Sequence, residues 1–203
     1  EQYKVQLRAL LRASAFGDIK IMLPLVTAVD EVRQAKALVE ECKRELDAEG
    51  VAYNKDIEVG TMIETPSASL IADKLARECD FFSIGTNDLI GYTMCADRGN
   101  DRVAYLYEVY QPSVLRSLKF LIGEGNKEKI MVGMCGEAAA DPLLIPVLLS
   151  FGLDEFSVSA PSVLRTRKTI AAWTKAEADE LTARVMELDT AAEVKALLER
   201  EAR

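Results

Sequence analysis

Three short apolar runs in this chain each end in a different reactive group. Phe81-Phe82-Ser83-Ile84-Gly85-Thr86 leads into Asn87 and Asp88, with Arg98 ten residues further on. Glu58-Val59-Gly60-Thr61-Met62-Ile63 ends in Glu64, and Ile130-Met131-Val132-Gly133-Met134 ends in Cys135. Two carboxylates gathered at adjacent strand tips repel unless a cation lies between them. The 203 residues contain no His, so ligation through oxygen alone favours Mg²⁺ or Mn²⁺ over zinc. The other reading of Glu64 and Asp88 is that each caps a neighbouring helix or turn. Outward-pointing amides around Gly85-Thr86-Asn87-Asp88 suit an anion, though the same residue types also make ordinary turns. Arg98 presents a planar fork that fits carboxylate or phosphate, where a bland loop Arg would merely be solvated. Cys135 is a nucleophile as thiolate or a general acid as thiol; its structural alternative is a packed strand end. Their joint occurrence at three strand tips favours chemistry over packing.

Such tips need rods to hold them, and the chain alternates apolar strands with helical periods. An opening helix spans Tyr3 to about Ser14, followed by the strand Ile19–Leu25. Thr27 and Asp30 form a capping box for a helix running to about Glu49, where Gly50 stops it. Thr65-Pro66 caps a helix over Ser67–Arg77. The strand Phe81–Ile84 precedes a long loop carrying Asp97-Arg98-Gly99-Asn100, and a helix starts at Pro112. The strand Ile130–Met134, a helix opening at Asp141-Pro142 and the strand Glu155–Ser159 follow, then helices capped by Thr174/Glu177 and Thr190/Glu193. Strands joined through helices predict a parallel sheet with right-handed crossovers. Asp80-Phe81-Phe82-Ser83-Ile84 echoes Asp154-Glu155-Phe156-Ser157-Val158, and Glu58-Val59-Gly60 echoes Met131-Val132-Gly133. Echoes on alternate strands suit a (β/α)8 barrel, whose interior is layered by alternate strands. About five strands can be counted where a closed barrel has eight, so residues 1–203 are expected to be the later part of one barrel domain.

Composition narrows the classes. Apolar residues make up 49% of the chain, ample for a core, and the net charge of −8 argues against binding nucleic acid or an anionic membrane. No apolar run is long enough to cross a bilayer. The four cysteines show no Cys-x-x-Cys spacing, which fits reduced thiols and a cytoplasmic location. The first residue is Glu1 rather than Met, so an upstream segment is expected.

Several ordered strings give the chain a resemblance to a known family. They are Leu7-Arg8-Ala9-Leu10-Leu11-Arg12-Ala13-Ser14, Ile63-Glu64-Thr65-Pro66-Ser67-Ala68, and Asp80 through Leu89. Ala96-Asp97-Arg98-Gly99-Asn100, Gly133-Met134-Cys135-Gly136-Glu137 and Gly152-Leu153-Asp154-Glu155-Phe156-Ser157 complete the set. Together they resemble the phosphoenolpyruvate-binding barrel of Enzyme I of the bacterial sugar phosphotransferase system. Pyruvate phosphate dikinase and phosphoenolpyruvate synthase share that barrel, and Asp97-Arg98-Gly99-Asn100 after Tyr92-Thr93 points to Enzyme I.

The resemblance implies that Glu64 and Asp88 hold Mg²⁺. It implies that Asn87 and Asp88 bind the substrate carboxylate through their backbone, that Arg98 binds its anionic oxygens, and that Cys135 protonates the methylene carbon of enolpyruvate. It further implies phosphoryl transfer from phosphoenolpyruvate, leaving pyruvate, to a histidine on another domain. From there the group would pass to a small phosphocarrier protein, and the enzyme would be a homodimer. A dikinase-type fragment and a non-catalytic dimerisation module are the alternatives. Two segments depart from the family pattern: Leu89-Ile90-Gly91-Tyr92-Thr93, and Tyr107 through Pro112. Neither changes a residue to which the resemblance gives a chemical role.

Overall fold

The structure is a computed structural model describing residues 1–203. Helix α1 (Gln2–Ala13) leads to strand β1 (Ile21–Leu23), helix α2 (Val29–Ala48) and strand β2 (Val59–Ile63). Helices α3 (Pro66–Leu70) and α4 (Ala72–Leu75) precede strand β3 (Phe81–Gly85), and α5 (Thr86–Met94) follows it at once. Then come α6 (Pro112–Glu128), β4 (Met131–Cys135), α7 (Ile145–Phe151), β5 (Glu155–Phe156), α8 (Val163–Ala171), α9 (Lys175–Val185) and α10 (Ala191–Glu201).

All neighbouring strands are parallel, and their order in the sheet is their order in the chain, β1 to β5. A strand order that never reverses means that the chain winds in one direction, so its helices collect on one side. Burial agrees. Ile21, Leu23, Val59, Ile63, Phe82, Ile84, Val132 and Met134 alternate along the strands and are buried in the main apolar core. Their neighbours Met22, Met62, Ser83, Met131 and Cys135 face the other side and are exposed or half-buried. The result is a five-stranded α/β arc with a helix-covered face and an open face, as the interior of a barrel segment would present.

The echoes in the sequence turn out to be one repeated contact. Asp80 and Asp154 each accept the amide of the preceding strand's first or second residue, Val59 at 2.7 Å and Val132 at 2.8 Å. Each also donates its own backbone N–H to the same residue's carbonyl. The Val-Gly pairs fit the same unit, because Gly133 lies beside Glu155 and a Cβ on Gly60 would run into Phe81.

Several boundaries differ from expectation. The first and last strands are shorter, at Ile21–Leu23 and Glu155–Phe156. The first capping box uses Glu31 rather than Asp30: Glu31 Oε2 accepts the amides of Thr27 at 2.6 Å and Ala28 at 3.0 Å. Ala28 stands at the cap and has no acceptor, so only that reciprocal half forms. The helix after Thr65-Pro66 breaks at Ile71 into two pieces. The segment at Asp141-Pro142 makes a turn, and α7 begins at Ile145. Helix α8 had no counterpart in the sequence reading. The caps at Thr65, Thr174 and Thr190, and the stop at Gly50 with φ +67°, form as expected.

Candidate active site at the strand tips

The carboxyl ends of β2, β3 and β4 lie side by side. Gly85 pairs with Cys135, and Glu64 follows Ile63, which pairs with Ile84. Residues in parallel register share a face, so Glu64, Gly85 and Cys135 form one row on the open side of the sheet. Gly85 makes the row possible, because a Cβ there would stand 2.7 Å from Glu64 Oε2. The absent side chain is filled by a carboxylate.

Glu64 is 4% exposed. Its Oε1 accepts the amide of Leu25 at 2.7 Å, and Leu25 takes a positive φ of 51° at that point. Burial pushes the Glu64 carboxyl above the ordinary range, the Leu25 amide opposes this, and the nearby Asp88 carboxylate adds to the upward push. A neighbouring negative charge adds to the cost of ionising Glu64, and a bound cation would relieve that cost. No cluster of three or more acidic, His or Cys groups exists to make an all-protein cage. The donor set still fits Mg²⁺, which keeps several waters and takes one or two carboxylates.

Asn87 and Asp88 do not lie in a loop, as the sequence reading had it. They occupy the first turn of α5, whose start no side chain caps. The effect on an anion is the same, because first-turn amides lack internal partners and carry the positive end of the helix dipole. Arg98 is exposed on the segment after α5, and with Asn87, Asp88, Tyr92 and Tyr107 it lines an open cleft of about 400 Å³.

Cys135 is half-buried, and its Sγ lies 3.5 Å from the Ile84 carbonyl and 3.9 Å from Ser83 Oγ. Thr86 Oγ1 donates to the Cys135 carbonyl at 3.0 Å. Gly136 then turns the chain away at φ +92°, where a Cβ would meet Thr86 Oγ1 at 2.5 Å. The tips of β3 and β4 are thereby pinned together. Glu64, Asp88 and the Gly85–Cys135 row thus cluster on the inner side, and Asn87, Asp88 and Arg98 on the cleft. Asp88 belongs to both groups, whereas Cys135 does not line the cleft. Sequence reasoning missed Leu25, Thr86 and Tyr107, whose parts depend on contacts across the fold.

Residues 1–175 match the family described as PEP-utilising enzyme, PEP-binding domain. The chain belongs to this family. Among the PEP-utilising enzymes, a phosphoenolpyruvate-protein phosphotransferase of Geobacillus stearothermophilus is 52% identical over 200 residues, covering 98% of this chain and 35% of that protein. The protein of the same name from Bacillus subtilis (strain 168) is 50% identical over 198 residues, again covering 98% of this chain and 35% of the relative. The chain therefore spans about a third of the length of those relatives. Its fold is similar to the crystal structure of a citrate lyase from Burkholderia xenovorans LB400, with a TM-score of 0.62 and 17% identity. That likeness covers 97% of this chain and 67% of the lyase. No helix is long and apolar enough to cross a membrane.

Proposed function

We propose that this chain is the later part of the barrel domain of a cytoplasmic phosphoenolpyruvate-protein phosphotransferase, acting first in a sugar phosphotransferase system. The observation that carries the reading is the row at the strand tips. A buried carboxylate beside a second one, an uncapped helix start and a thiol meet there, in a chain about half identical to phosphotransferases of that name.

The substrate carboxylate sits on the first-turn amides of Asn87 and Asp88, with Arg98 closing over its oxygens. Glu64 and Asp88 hold Mg²⁺, which when bound supplies Lewis-acid stabilisation of negative charge developing on the substrate's enol oxygen. The phosphoryl group leaves to a histidine outside residues 1–203, since none lies within them. Cys135 then gives its thiol proton to the methylene carbon: the S–H bond breaks, the C–H bond forms, and the thiolate recovers a proton from solvent. Keto pyruvate is the product, which makes return unfavourable. A small phosphocarrier protein receives the phosphoryl group next, and a second identical subunit completes the enzyme.

The test is calorimetric titration of phosphoenolpyruvate into the complete protein that carries this chain, with and without Mg²⁺. Binding that requires Mg²⁺ is expected, and it should vanish in Asp88→Asn. Absence of binding by the wild type would leave the dimerisation module as the surviving reading.

A further inference from the structure

Tyr107 touches the same cleft and has no part in the reaction as described so far. It stands just past a short helical turn at Ala104–Leu106, near the far end of the segment that joins α5 to α6. From there its phenol folds back, and Oη donates to the Asn87 carbonyl at 2.7 Å. The ring edge lies beside Gly91, where a Cβ would be 3.6 Å from Tyr107 Cε2, an ordinary contact distance. Arg98 and Asp88 line the same cleft as the phenol. Burial, opposed by Arg98, holds the phenol above its ordinary range, so it remains a donor at neutral pH.

The geometry bears on how an anion is held. The two elements that would grip a carboxylate, the start of α5 and Arg98, belong to different parts of the chain. Arg98 rides on an exposed loop, and a long side chain on a loop loses much freedom when it closes on a ligand. An Asn87 carbonyl engaged in its helix still has a second acceptor site, and Tyr107 fills it. One hydroxyl thereby ties the loop to the helix turn before any ligand arrives.

We propose that Tyr107 is a positioning residue: its hydroxyl fastens the segment that carries Arg98 to the first turn of α5, so that guanidinium and amides converge on one carboxylate. This rests on the phosphoenolpyruvate reading above and assigns to Tyr107 the preorganisation of its anion site.

The test uses Tyr107→Phe in the complete protein, a change that keeps the ring and removes only the hydroxyl. KM for phosphoenolpyruvate should rise about tenfold, corresponding to about 1.4 kcal/mol of uniform binding, with kcat within about twofold. Amide exchange across residues 86–98 should quicken without ligand, and the melting temperature should stay put. In a cycle with Arg98→Gln, the two losses should be less than additive, since the hydroxyl acts by holding the segment that carries the guanidinium. A wild-type KM in Tyr107→Phe, or a joint fall in kcat and melting temperature, would overturn the assignment while leaving the functional reading intact. A wild-type protein that does not bind phosphoenolpyruvate would overturn both.

Discussion

At the scale of single residues, Glu64 combines the features of a functional group held at the expense of stability. It is buried, faces a second carboxylate and receives a single backbone amide. Glu64→Gln keeps an oxygen for the Leu25 amide and removes the charge. The variant should melt about 2–4 °C higher and lose Mg²⁺-dependent binding of phosphoenolpyruvate. A lower melting temperature would contradict the account of a buried acidic group crowded by a second one. Cys135→Ala has the opposite profile. Substrate binding should persist while proton delivery to carbon slows by about 100-fold or more, read by single-turnover formation of pyruvate. A normal rate would remove Cys135 from the reaction. Glu64 and Cys135 stand at strand tips and Asn87 and Asp88 in the helix turn that follows one, because an apolar run ending in a polar residue is a local pattern, whereas Arg98 lies on the segment after α5. Leu25, Thr86 and Tyr107 were illegible for the opposite reason. Their partners are Glu64, the Cys135 carbonyl and Asn87, and only the folded chain brings these together.

At the scale of elements, caps were the most readable feature, since a Thr and a Glu three residues apart carry their own mechanism. The first capping box misled because Thr27 lies one residue before the cap, and Glu31 reaches back to it instead of Asp30. Asn87-Asp88 misled because turn-forming residues also start helices. The box at Thr174 permits a pH prediction. Bonds from Arg203, and then from Thr174, hold the Glu177 carboxyl down at about 2. Because its folded value lies below the ordinary 4.5, this contact stabilises fully above about pH 4.5 and is lost as pH falls through about 2. Arg203 also stacks on Trp173, the chain's single Trp, at 4.1 Å from the ring centre. Trp173 fluorescence should therefore change in that acid window, and Glu177→Gln should remove the step. A step that persists in Glu177→Gln would assign it to another group.

At the scale of the whole molecule, five parallel strands in chain order leave β1 and β5 each paired on one side only. Strand edges present unpaired amides and carbonyls that readily recruit another chain. The sheet's open face adds to this, with Met22 40% exposed beside half-buried Met62 and Met131. In a barrel both features are covered by the remaining strands. The count of five strands was legible because strand periodicity survives without its neighbours, whereas a strand's own pattern does not say what covers the open face. Residues 1–203 on their own should therefore associate as concentration rises, seen as a growing sedimentation coefficient. Expressed together with the segment that precedes them in the complete protein, they should instead form a single one-to-one complex. Blocking one edge by placing Pro at Met22 would be expected to reduce self-association and also to prevent that complex, because both use the β1 edge. A stable monomer at all concentrations, melting as high alone as within the complete protein, would mean that the arc closes its own edges and that no further strands are needed.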